Sequence, residues 1–366
     1  MRIAYIVNWD ITKNDGVTKK ILAQAKSWER LGCECRVFAY VPETGNSVIE
    51  EACQYKEKSY IETGLVKNKK IIKDIERYSP GIIYLRYHTW SSTIAYLMRR
   101  YKSVCELNTL DVAESKSLLK RDKNIKGILR YIVYSLLRGR VLSKTNAIIG
   151  VSKEITEHPS NTKYGKPSIF IPNSIDSSNF KTIKGDNNAG SGRTGLFFMG
   201  TPCQPWHGVD IIEKLACFLP AYDFHVIGMD GKNKSNIYWH GYLPEDKYIE
   251  ILRRCHICVG SLGLYRIGIK EASPLKVREY LSCGYPVIIG YEDAAFINEG
   301  YPDWILKLDF SANEELTSND DVIAVIREFI ERNKDRVLTD DEIKKFIDAS
   351  AGEEKRIKFL EKIINL

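Results

Sequence analysis

Two glutamates, Glu271 and Glu279, enclose a proline and a lysine in the densest polar stretch of the chain, E-A-S-P-L-K-V-R-E. Ser273 before Pro274 predicts a helix start, because serine caps a helix and proline is tolerated in its first turn. Lys276 then lies in that first turn, beside free backbone N–H groups and the positive end of the helix dipole. This spacing predicts a binding site for a diphosphate with a carboxylate on either side.

The surrounding sequence decides between a ligand site and an ordinary charged surface helix. Two glutamates eight residues apart are common, so their spacing alone favours the surface helix. The helix is expected to end near Cys283, with Gly284 as a left-handed cap and Pro286 opening the next strand. A lysine in the first turn opposes the helix dipole, so a bound anion explains its presence and favours the ligand site.

Polar residues at the ends of two predicted strands form a second candidate site in the first half of the chain. His88 ends one strand, and Glu106 and Asn108 end the next. Ligands of parallel α/β sheets bind at the carboxyl ends of the strands. We therefore expect His88 to contact a bound ligand as a catalytic candidate, and Glu106 and Asn108 either to bind an acceptor substrate or to order the loop. For His88, an ordinary core or surface histidine whose hydrogen bonds are all made within the protein is an equally favoured alternative.

Alternating strand and helix patterns position both groups of residues. The alternation fills the first 171 residues, gives way to glycine- and asparagine-rich linker composition over 177–194, and then restarts. It predicts an α/β fold with two Rossmann-like parallel-sheet domains facing an inter-domain cleft. The expected domains are 1–176 and 177–349, with a C-terminal helix over 350–366 packing back on the first.

A basic helical stretch occupies residues 118–144. Eight lysines and arginines face a single acid, Asp122, while leucine, isoleucine and valine recur at helical spacing. Basic amphipathic helices dock on anionic membrane surfaces. The alternative is a core helix with a solvated basic face. We favour docking, because the stretch has eight basic residues and one acid. One continuous helix is expected over 116–142.

Composition narrows the remaining functional classes. The 366 residues carry a net charge of +7, which favours anionic partners, and no apolar run is long enough to span a membrane, so a cytoplasmic protein is expected. Cys255 and Cys258 lack the second ligand pair that zinc needs and are interpreted as core thiols. The sequence has no D-x-D at a strand end and no G-x-G-x-x-G after one, which disfavours a metal–diphosphate site and a dinucleotide oxidoreductase.

The run S-P-L-K-V-R-E-Y-L-S-C-G-Y-P-V-I resembles the donor-site signature of family 4 glycosyltransferases, which have the GT-B fold and retain anomeric configuration. Weaker matches follow the family order along the chain. They are N-D-G-V-T-K-K-I-L near the amino terminus, G-V-S-K-E-I and I-P-N-S-I-D before the linker, and F-F-M-G, W-H-G-V-D, H-V-I-G and W-H-G-Y-L after it. The resemblance therefore covers nearly the whole chain.

The resemblance implies a donor site in the second domain. Glu279 is expected to bind ribose hydroxyls, Glu271 to approach the transferred sugar as a catalytic residue, and Lys276 to hold the phosphates. The other donor-site residues that it implies are Ser273, Pro274, Leu275, Arg266, His207, Gly200, Thr201, Gly241, Tyr242 and Leu243. In the first domain, Gly16 and Val17 form the expected acceptor or phosphate loop.

The chain departs from the family at the phosphate clamp. The family has an arginine after the first strand of the second domain and a lysine before the following helix, where Thr201 and His207 stand here. A histidine can donate a hydrogen bond, more strongly when it is protonated. Arg266, in a later loop, is the candidate for the missing charge.

The implied activity is transfer of a sugar, with retention, from a nucleotide diphosphate donor to a glycan or lipid-linked acceptor. A UDP-sugar is favoured over a GDP-sugar, and no cofactor, metal or nucleic acid partner is expected. The resemblance and the basic helix suggest polysaccharide or glycolipid assembly by a cytoplasmic protein, with peripheral docking on the inner face of the cell membrane. Two alternatives stay open: a nucleotide-sugar epimerase of the same fold, and a non-catalytic membrane-binding module.

Overall fold

The computed structural model of the chain describes residues 1–50, 52–56, 66–122, 125–185, 192–310 and 320–366, without the side chains at 118, 120–122, 125–127 and 130. Packing divides these residues into two compact units. Unit 1 comprises Met1–Pro172 and Ala349–Leu366, and unit 2 comprises Asn173–Asp348. The sequence predicts the corresponding boundaries at 176/177 and 349/350.

Unit 1 is built on a parallel sheet. Its strands are β1 (Arg2–Asn8), β2 (Glu34–Val41), β3 (Cys53–Lys56), β4 (Ile82–Arg86), β5 (Ser103–Leu107), β6 (Ala147–Gly150) and β7 (Ser168–Phe170). They lie in the order β3-β2-β1-β4-β5-β6-β7, and all neighbours are parallel. The order reverses between β1 and β4, so the topological switch point, where such sheets bind ligands, lies at the carboxyl ends of these two strands.

The helices of unit 1 are α1 (Gly16–Arg30), α2 (Lys69–Tyr78), α3 (Ser92–Arg100), α4 (Asp111–Asp122), α5 (Ile125–Leu142), α6 (Lys153–Glu157), α7 (Pro159–Thr162) and the C-terminal helix (Ala349–Ile364). The single helix predicted over 116–142 is wrong, because α4 and α5 are separate helices that pack against each other. The Asp111 carboxylate ties them together: it accepts hydrogen bonds from Tyr134 and from Arg138 Nε, the latter at 2.7 Å.

The C-terminal helix is held on unit 1 by buried polar contacts. Trp28 and Tyr84 pack edge to face with their centroids 4.9 Å apart. Beside them Arg356, 2% exposed, donates to Glu353 at 2.8 Å and to Glu106 at 3.3 Å. Trp28 Nε1 also donates to Glu353, at 2.6 Å. Arg356 therefore links two buried carboxylates that lie far apart in the sequence.

Unit 2 contains a second parallel sheet. Its strands are β8 (Gly195–Met199), β9 (Asp223–Ile227), β10 (Ile237–Trp239), β11 (Ile257–Val259), β13 (Val287–Ile289) and β15 (Ile305–Lys307), in the order β10-β9-β8-β11-β13-β15. A separate parallel pair joins β12 (Glu271–Ala272) to β14 (Glu292–Asp293). These two short strands and β3 were missed in the sequence, because they carry polar residues and no apolar run.

The helices of unit 2 are α8 (Val209–Phe218), α9 (Glu245–Leu252), α10 (Leu275–Ser282), α11 (Asp320–Asn333) and α12 (Asp340–Ile347). The linker predicted over 177–194 is wrong for its first part, because Ile183 and Lys184 are buried in unit 2. Lys184 Nζ donates to Asn333 O at 3.2 Å, and the backbone N–H of Ile183 donates to Cys283 O at 3.1 Å. Residues 186–191 of that stretch lie outside the described residues.

Three features of the described residues bear on interpretations made from the sequence: membrane spans, metal sites and the state of the cysteines. Across the described ranges, no helix is both long and apolar enough to cross a bilayer. Nor does this part of the chain bring together three histidine, cysteine, aspartate or glutamate side chains that would hold a metal ion. Cys255 and Cys258 are buried free thiols, as predicted, and burial raises the pKa of Cys255.

We expect Arg356→Met to destabilise unit 1 by about 3 kcal/mol, because the change leaves Glu106 and Glu353 buried without the cation that they share. Lys358→Met, on an exposed position of the same helix, is the matched control and is expected to change stability by less than about 0.5 kcal/mol. Urea unfolding followed by circular dichroism measures both. Equal unfolding midpoints for the two variants would contradict the anchoring role of Arg356.

Candidate active site

Two loops and one helix start of unit 2 meet around the imidazole of His207. Nδ1 of His207 lies 3.3 Å from Ser261 Oγ and 3.4 Å from Lys276 Nζ, and Nε2 accepts the backbone N–H of Thr201 at 3.2 Å. Thr201 follows β8 by way of Gly200, Ser261 follows β11, and Lys276 lies in the first turn of α10. The structure therefore brings the predicted clamp positions and the predicted helix start together at the carboxyl edge of the sheet.

Hydrogen bonding fixes the protonation of His207. Because Nε2 accepts the Thr201 N–H, it carries no proton, and Nδ1 is the donor to Ser261 Oγ. Burial and the adjacent Lys276 ammonium lower the pKa of His207 to about 2. The imidazole is therefore neutral at physiological pH, and the protonated donor considered from the sequence does not form. Its role in this arrangement is to fix the loop at Thr201.

Lys276 is a cation with no acidic partner among the described residues. Its Nζ lies 4.4 Å from the centroid of the Phe198 ring, a cation–π distance, and its other polar neighbour is the neutral His207. Burial lowers the pKa of Lys276 to about 7. A half-buried ammonium that no described carboxylate neutralises is unfavourable, and an anion bound beside it removes the penalty.

The start of α10 is open to a ligand because no side chain caps it. Its N-cap residue is Pro274, which has no hydrogen-bonding side chain. The prediction that Ser273 caps this helix is wrong: Ser273 Oγ instead accepts hydrogen bonds from Arg278 Nη2 at 2.9 Å and from Asn173 N–H at 2.8 Å. The first-turn N–H groups, beginning at Leu275, therefore have no side-chain acceptor among the described residues and form a binding site for an anion.

Arg278 anchors this helix start from inside. Its side chain is 0% exposed, pairs with the Asp293 carboxylate through both terminal nitrogens, and donates through Nε to Asn173 O at 2.7 Å. Removing either charge would leave the other buried and unpaired, which is strongly destabilising. Sequence reasoning missed Arg278, because it stands beside Glu279 in a charged run that gives no signal of burial.

Glu279 is oriented by a tyrosine that sequence reasoning also missed. Tyr248 in α9 donates its hydroxyl proton to Glu279 Oε1 at 2.6 Å, a length typical of a hydrogen bond to a carboxylate. Burial and the neighbouring Glu279 raise the pKa of Tyr248 far above its usual range, so the hydroxyl keeps its proton. The Glu279 carboxylate is thus held on α10 by the helix that follows the Gly241–Leu243 loop.

The Gly241–Leu243 loop is tied to the end of β9. Gly228 N–H donates to Gly241 O at 2.7 Å. Gly228 has φ +91°, and a Cβ there would lie 2.1 Å from Gly200 O, so the close approach of these three backbone segments requires glycine. On this fixed backbone the Tyr242 side chain is 82% exposed. A rigid loop that presents an exposed aromatic ring is suited to stacking against a base.

Arg266 and Glu271 lie on short elements near this edge. Arg266 forms a bidentate pair with Asp210 of α8, with both N–O distances at 2.7 Å. Asp210 therefore balances the charge that the sequence assigned to a phosphate, and Lys276 is the cation that stays unbalanced. Glu271 is half-buried in β12, where its backbone pairs with Glu292 of β14.

His88 follows β4 in unit 1 and is held as a neutral imidazole. Its Nδ1 lies 2.9 Å from the carbonyl oxygen of Thr89, to which it must donate, so Nε2 carries no proton. Burial lowers the pKa of His88 to about 4. Nε2 is buried and has no hydrogen-bond partner in the part of the chain that the structure describes. Its lone pair is therefore a hydrogen-bond acceptor that the described residues leave unused.

Glu106 lies inside unit 1. Its side chain is 0% exposed, Oε1 accepts from Lys20 at 3.0 Å and from Arg356 at 3.3 Å, and Oε2 accepts from Asn108 Nδ2 at 3.2 Å. Burial alone would raise the pKa of Glu106, but Lys20, Arg356 and Arg86 lower it well below its usual range. The carboxylate orders Lys20 and Asn108, and the direct acceptor contact predicted for it would require it to leave these cations.

The start of α1 differs from that of α10 because an acid caps it. The Asp15 carboxylate accepts from Thr18 N–H at 2.9 Å and from Trp9 Nε1 at 3.1 Å. An acidic cap satisfies the helix terminus and repels a second anion. The Gly16–Val17 segment is therefore suited to neutral hydroxyl groups, and its predicted use as a phosphate loop is disfavoured.

Comparison with known proteins gives matches only among solved structures. No family model matches the chain, and no curated protein does. Sucrose-phosphate synthase from Thermosynechococcus elongatus matches with a TM-score of 0.68 at 12% identity, covering 100% of this chain and 99% of that one. HepE from Anabaena in complex with UDP and glucose matches with a TM-score of 0.64 at 13% identity, covering 99% of each chain.

A third glycosyltransferase structure agrees with these two. The apo form of the lipopolysaccharide outer core galactosyltransferase WaaB matches with a TM-score of 0.61 at 12% identity, covering 99% of this chain and 100% of that one. All three matches run over both units and include both parallel sheets. Identities this low establish the architecture alone: the chain has the GT-B fold.

Proposed function

We propose that this protein is a glycosyltransferase that takes a sugar from a nucleotide diphosphate donor bound to unit 2. The observation that carries the proposal is Lys276, an ammonium without a carboxylate partner among the described residues, at the uncapped start of α10. Structures of the same fold with UDP bound, such as HepE, support it. Membership of glycosyltransferase family 4 is part of the proposal and rests on the S-P-L-K-V-R-E run.

The proposed chemistry needs stabilisation of a leaving diphosphate. The first-turn N–H groups of α10 and the Lys276 ammonium are fixed donors for the charge that develops as the glycosidic bond breaks, and no metal ion is required for this. Glu279, oriented by Tyr248, binds the ribose hydroxyls, and Glu271 approaches the transferred sugar. His88 Nε2 accepts a hydrogen bond from a sugar hydroxyl in unit 1, where the acceptor binds.

Retention of configuration is proposed from the family resemblance. The transition state is oxocarbenium-like, as in other glycosyl transfers. The acceptor attacks from the face that the diphosphate leaves, and a phosphate oxygen takes the acceptor proton. The anomeric proton coupling of the first-formed product, read by NMR from an α-linked UDP-sugar, decides this point: an axial–equatorial coupling is expected, and a diaxial coupling would indicate inversion.

Binding of free nucleotides tests the donor site directly. We expect UDP to bind in EDTA, more tightly than GDP or ADP, and expect Glu279→Ala or Lys276→Met to weaken it at least about tenfold, which is 1.4 kcal/mol. Lys247→Met, on an exposed position of α9, is the control. Isothermal titration calorimetry measures all four proteins. Unchanged affinity in Lys276→Met, or binding that needs Mg²⁺, would refute the proposed site.

Conversion of a UDP-sugar to its epimer without acceptor would indicate the epimerase.

The pKa of Lys276 predicts how donor affinity depends on pH. With a pKa of about 7 in the unliganded protein, the side chain is charged below pH 7 and neutral above it. The terminal phosphate of UDP is already fully ionised above pH 7, since its second pKa is about 6. The UDP dissociation constant should therefore rise as pH increases from 7 to 9, by up to about tenfold per unit.

Arginine at this position separates the lysine from other titrating groups. Lys276→Arg keeps its charge throughout the range, so its UDP affinity, whatever its absolute value, should be flat between pH 7 and 9. Calorimetric titrations at half-unit intervals measure both proteins. The same slope in the wild-type protein and in Lys276→Arg would show that the titrating group lies elsewhere.

Membrane docking through the basic stretch is proposed as the second part of the function. Four apolar side chains of α5 are exposed, and they recur at helical spacing: Ile128 (47%), Leu129 (61%), Ile132 (47%) and Leu136 (67%). Monomeric soluble proteins seldom leave such a stripe uncovered. Arg138, one of the eight lysines and arginines in 118–144, is buried against Asp111 and cannot face a membrane. The excess of the other seven over a single acid makes an anionic bilayer surface the complementary partner. This location suits a lipid-linked acceptor and a peripheral position at the cell membrane.

We expect the protein to float with phosphatidylcholine vesicles that contain 30% phosphatidylglycerol, a probe composition of about physiological anionic content, and to stay unbound with phosphatidylcholine alone. The double change Ile132→Asp and Leu136→Asp should abolish flotation while UDP affinity is kept. Phe218→Asp, which removes an exposed apolar ring from unit 2, is the control. Equal flotation of the double variant and the control would contradict docking through α5.

A further inference from the structure

A buried cluster of charged side chains at the carboxyl ends of β4 and β5 contains one more cation than carboxylates. Lys20, Arg86 and Arg356 all approach Glu106, at N–O distances of 3.0, 3.6 and 3.3 Å. Arg356 also pairs with Glu353 at 2.8 Å. Three cations thus share two carboxylates among the described residues, which leaves one positive charge unbalanced in a mostly dry environment.

The hydrogen bonds of Glu106 indicate which of the three cations lacks a carboxylate partner. Glu106 Oε1 already accepts from Lys20, Gln24 and Arg356, and Oε2 accepts from Asn108. Arg86 Nη1 stays 3.6 Å from Oε2, which is too far for a hydrogen bond.

Nη1 of Arg86 is also buried without a hydrogen-bond partner in the described part of the chain. Buried donors of this kind are normally satisfied. The missing partner of Arg86 is therefore an acceptor that the described residues do not supply.

Two neighbouring features point to a ligand rather than to a purely structural arginine. Arg86 is the last residue of β4, at the switch point of the unit 1 sheet, and its side chain is 15% exposed. His88, two residues further on, has a buried Nε2 that also lacks a partner among the described residues and that accepts a hydrogen bond. A guanidinium donor and an imidazole acceptor on the same segment match a molecule that carries both an anionic group and hydroxyl groups.

We propose that unit 1 binds an acceptor sugar that bears a phosphate or a carboxylate, with its oxyanion on Arg86 and a hydroxyl on His88 Nε2. Arginine suits this task, because its planar fork donates two parallel hydrogen bonds to an oxyanion. The acidic cap Asp15 keeps the anion away from the start of α1. The inference rests on the proposed function, since it names the class of acceptor for the proposed transferase.

The test uses the full-length protein with the donor site filled by saturating UDP, so that added phosphate probes report only on unit 1. Calorimetry compares glucose, glucose 6-phosphate and decyl glucose 1-phosphate, a soluble diester with a lipid-like tail. Variants are Arg86→Gln, Arg86→Lys and, as control, Arg100→Gln, which changes an exposed arginine of α3. Melting temperatures establish that all variants fold.

We expect an anionic probe to bind at least about tenfold more tightly than glucose, and Arg86→Gln to remove that preference without changing UDP affinity. Arg86→Lys should restore part of it, and Arg100→Gln should match the wild-type protein. Tighter binding of glucose 6-phosphate assigns a free sugar phosphate, and tighter binding of the decyl diester assigns a lipid-linked one.

Two results would overturn the inference: equal binding of glucose and both anionic probes, or unchanged preference in Arg86→Gln. Failure of UDP to bind would count against the proposed donor site instead. In that case the same titrations without nucleotide, in Lys276→Met, still report on Arg86.

Discussion

The proposed donor site depends on a single unbalanced charge. Lys276 stands at the first turn of α10, between the Phe198 ring and a histidine that its own hydrogen bonds keep neutral. No side chain caps the helix, and no described carboxylate offsets the ammonium. Both features are unfavourable in the empty protein, and both are relieved by one dianionic group. The surrounding contacts, from the buried Arg278–Asp293 pair to the Tyr248–Glu279 hydrogen bond, hold this arrangement in place.

The two units contain the same type of parallel sheet, but the start of one helix in each unit, α1 and α10, has opposite electrostatics. In unit 1, Asp15 caps α1 and repels anions from its start. In unit 2, an uncapped α10 attracts them. Unit 1 carries its positive charge instead at the end of β4, in Arg86, beside the buried Glu106. In the proposed transferase, this distribution would separate the two ligands by their chemistry: a diphosphate would bind at α10 and a hydroxyl-bearing, anionic acceptor at the unit 1 switch point.

Much of this architecture could be predicted from the sequence, because local patterns encode it. Apolar runs alternating with helical periodicity predicted two parallel sheets, and S-P-L-K predicted a helix start with a lysine in its first turn; the structure has both. The role of Ser273 could not be predicted, because it depends on which donor of the folded protein hydrogen-bonds to its hydroxyl oxygen. In the structure that donor is the buried Arg278, which also pairs with Asp293.

Two other predicted site residues have partners that the sequence did not indicate. Arg266 was predicted to contact a phosphate, and in the structure it pairs with Asp210, which lies far from it in the sequence. Glu106 ends a strand, as predicted, but Lys20 and Arg356 come from opposite ends of the chain to bury it. Pairings between residues so far apart leave no periodic pattern in the sequence from which they could be predicted. The features that sequence reasoning missed, Tyr248, Arg278 and Arg86, are likewise side chains whose partners only the fold supplies.

The most direct measurement is a crystal structure of the protein grown with UDP in EDTA. We predict that the β-phosphate lies at the start of α10, with oxygens within about 3.2 Å of the first-turn N–H groups and of Lys276 Nζ. Glu279 should contact the ribose hydroxyls. A nucleotide bound elsewhere, with Lys276 still packed against Phe198 and His207 and no anion at the helix start, would contradict an anion-binding role for Lys276 and the start of α10.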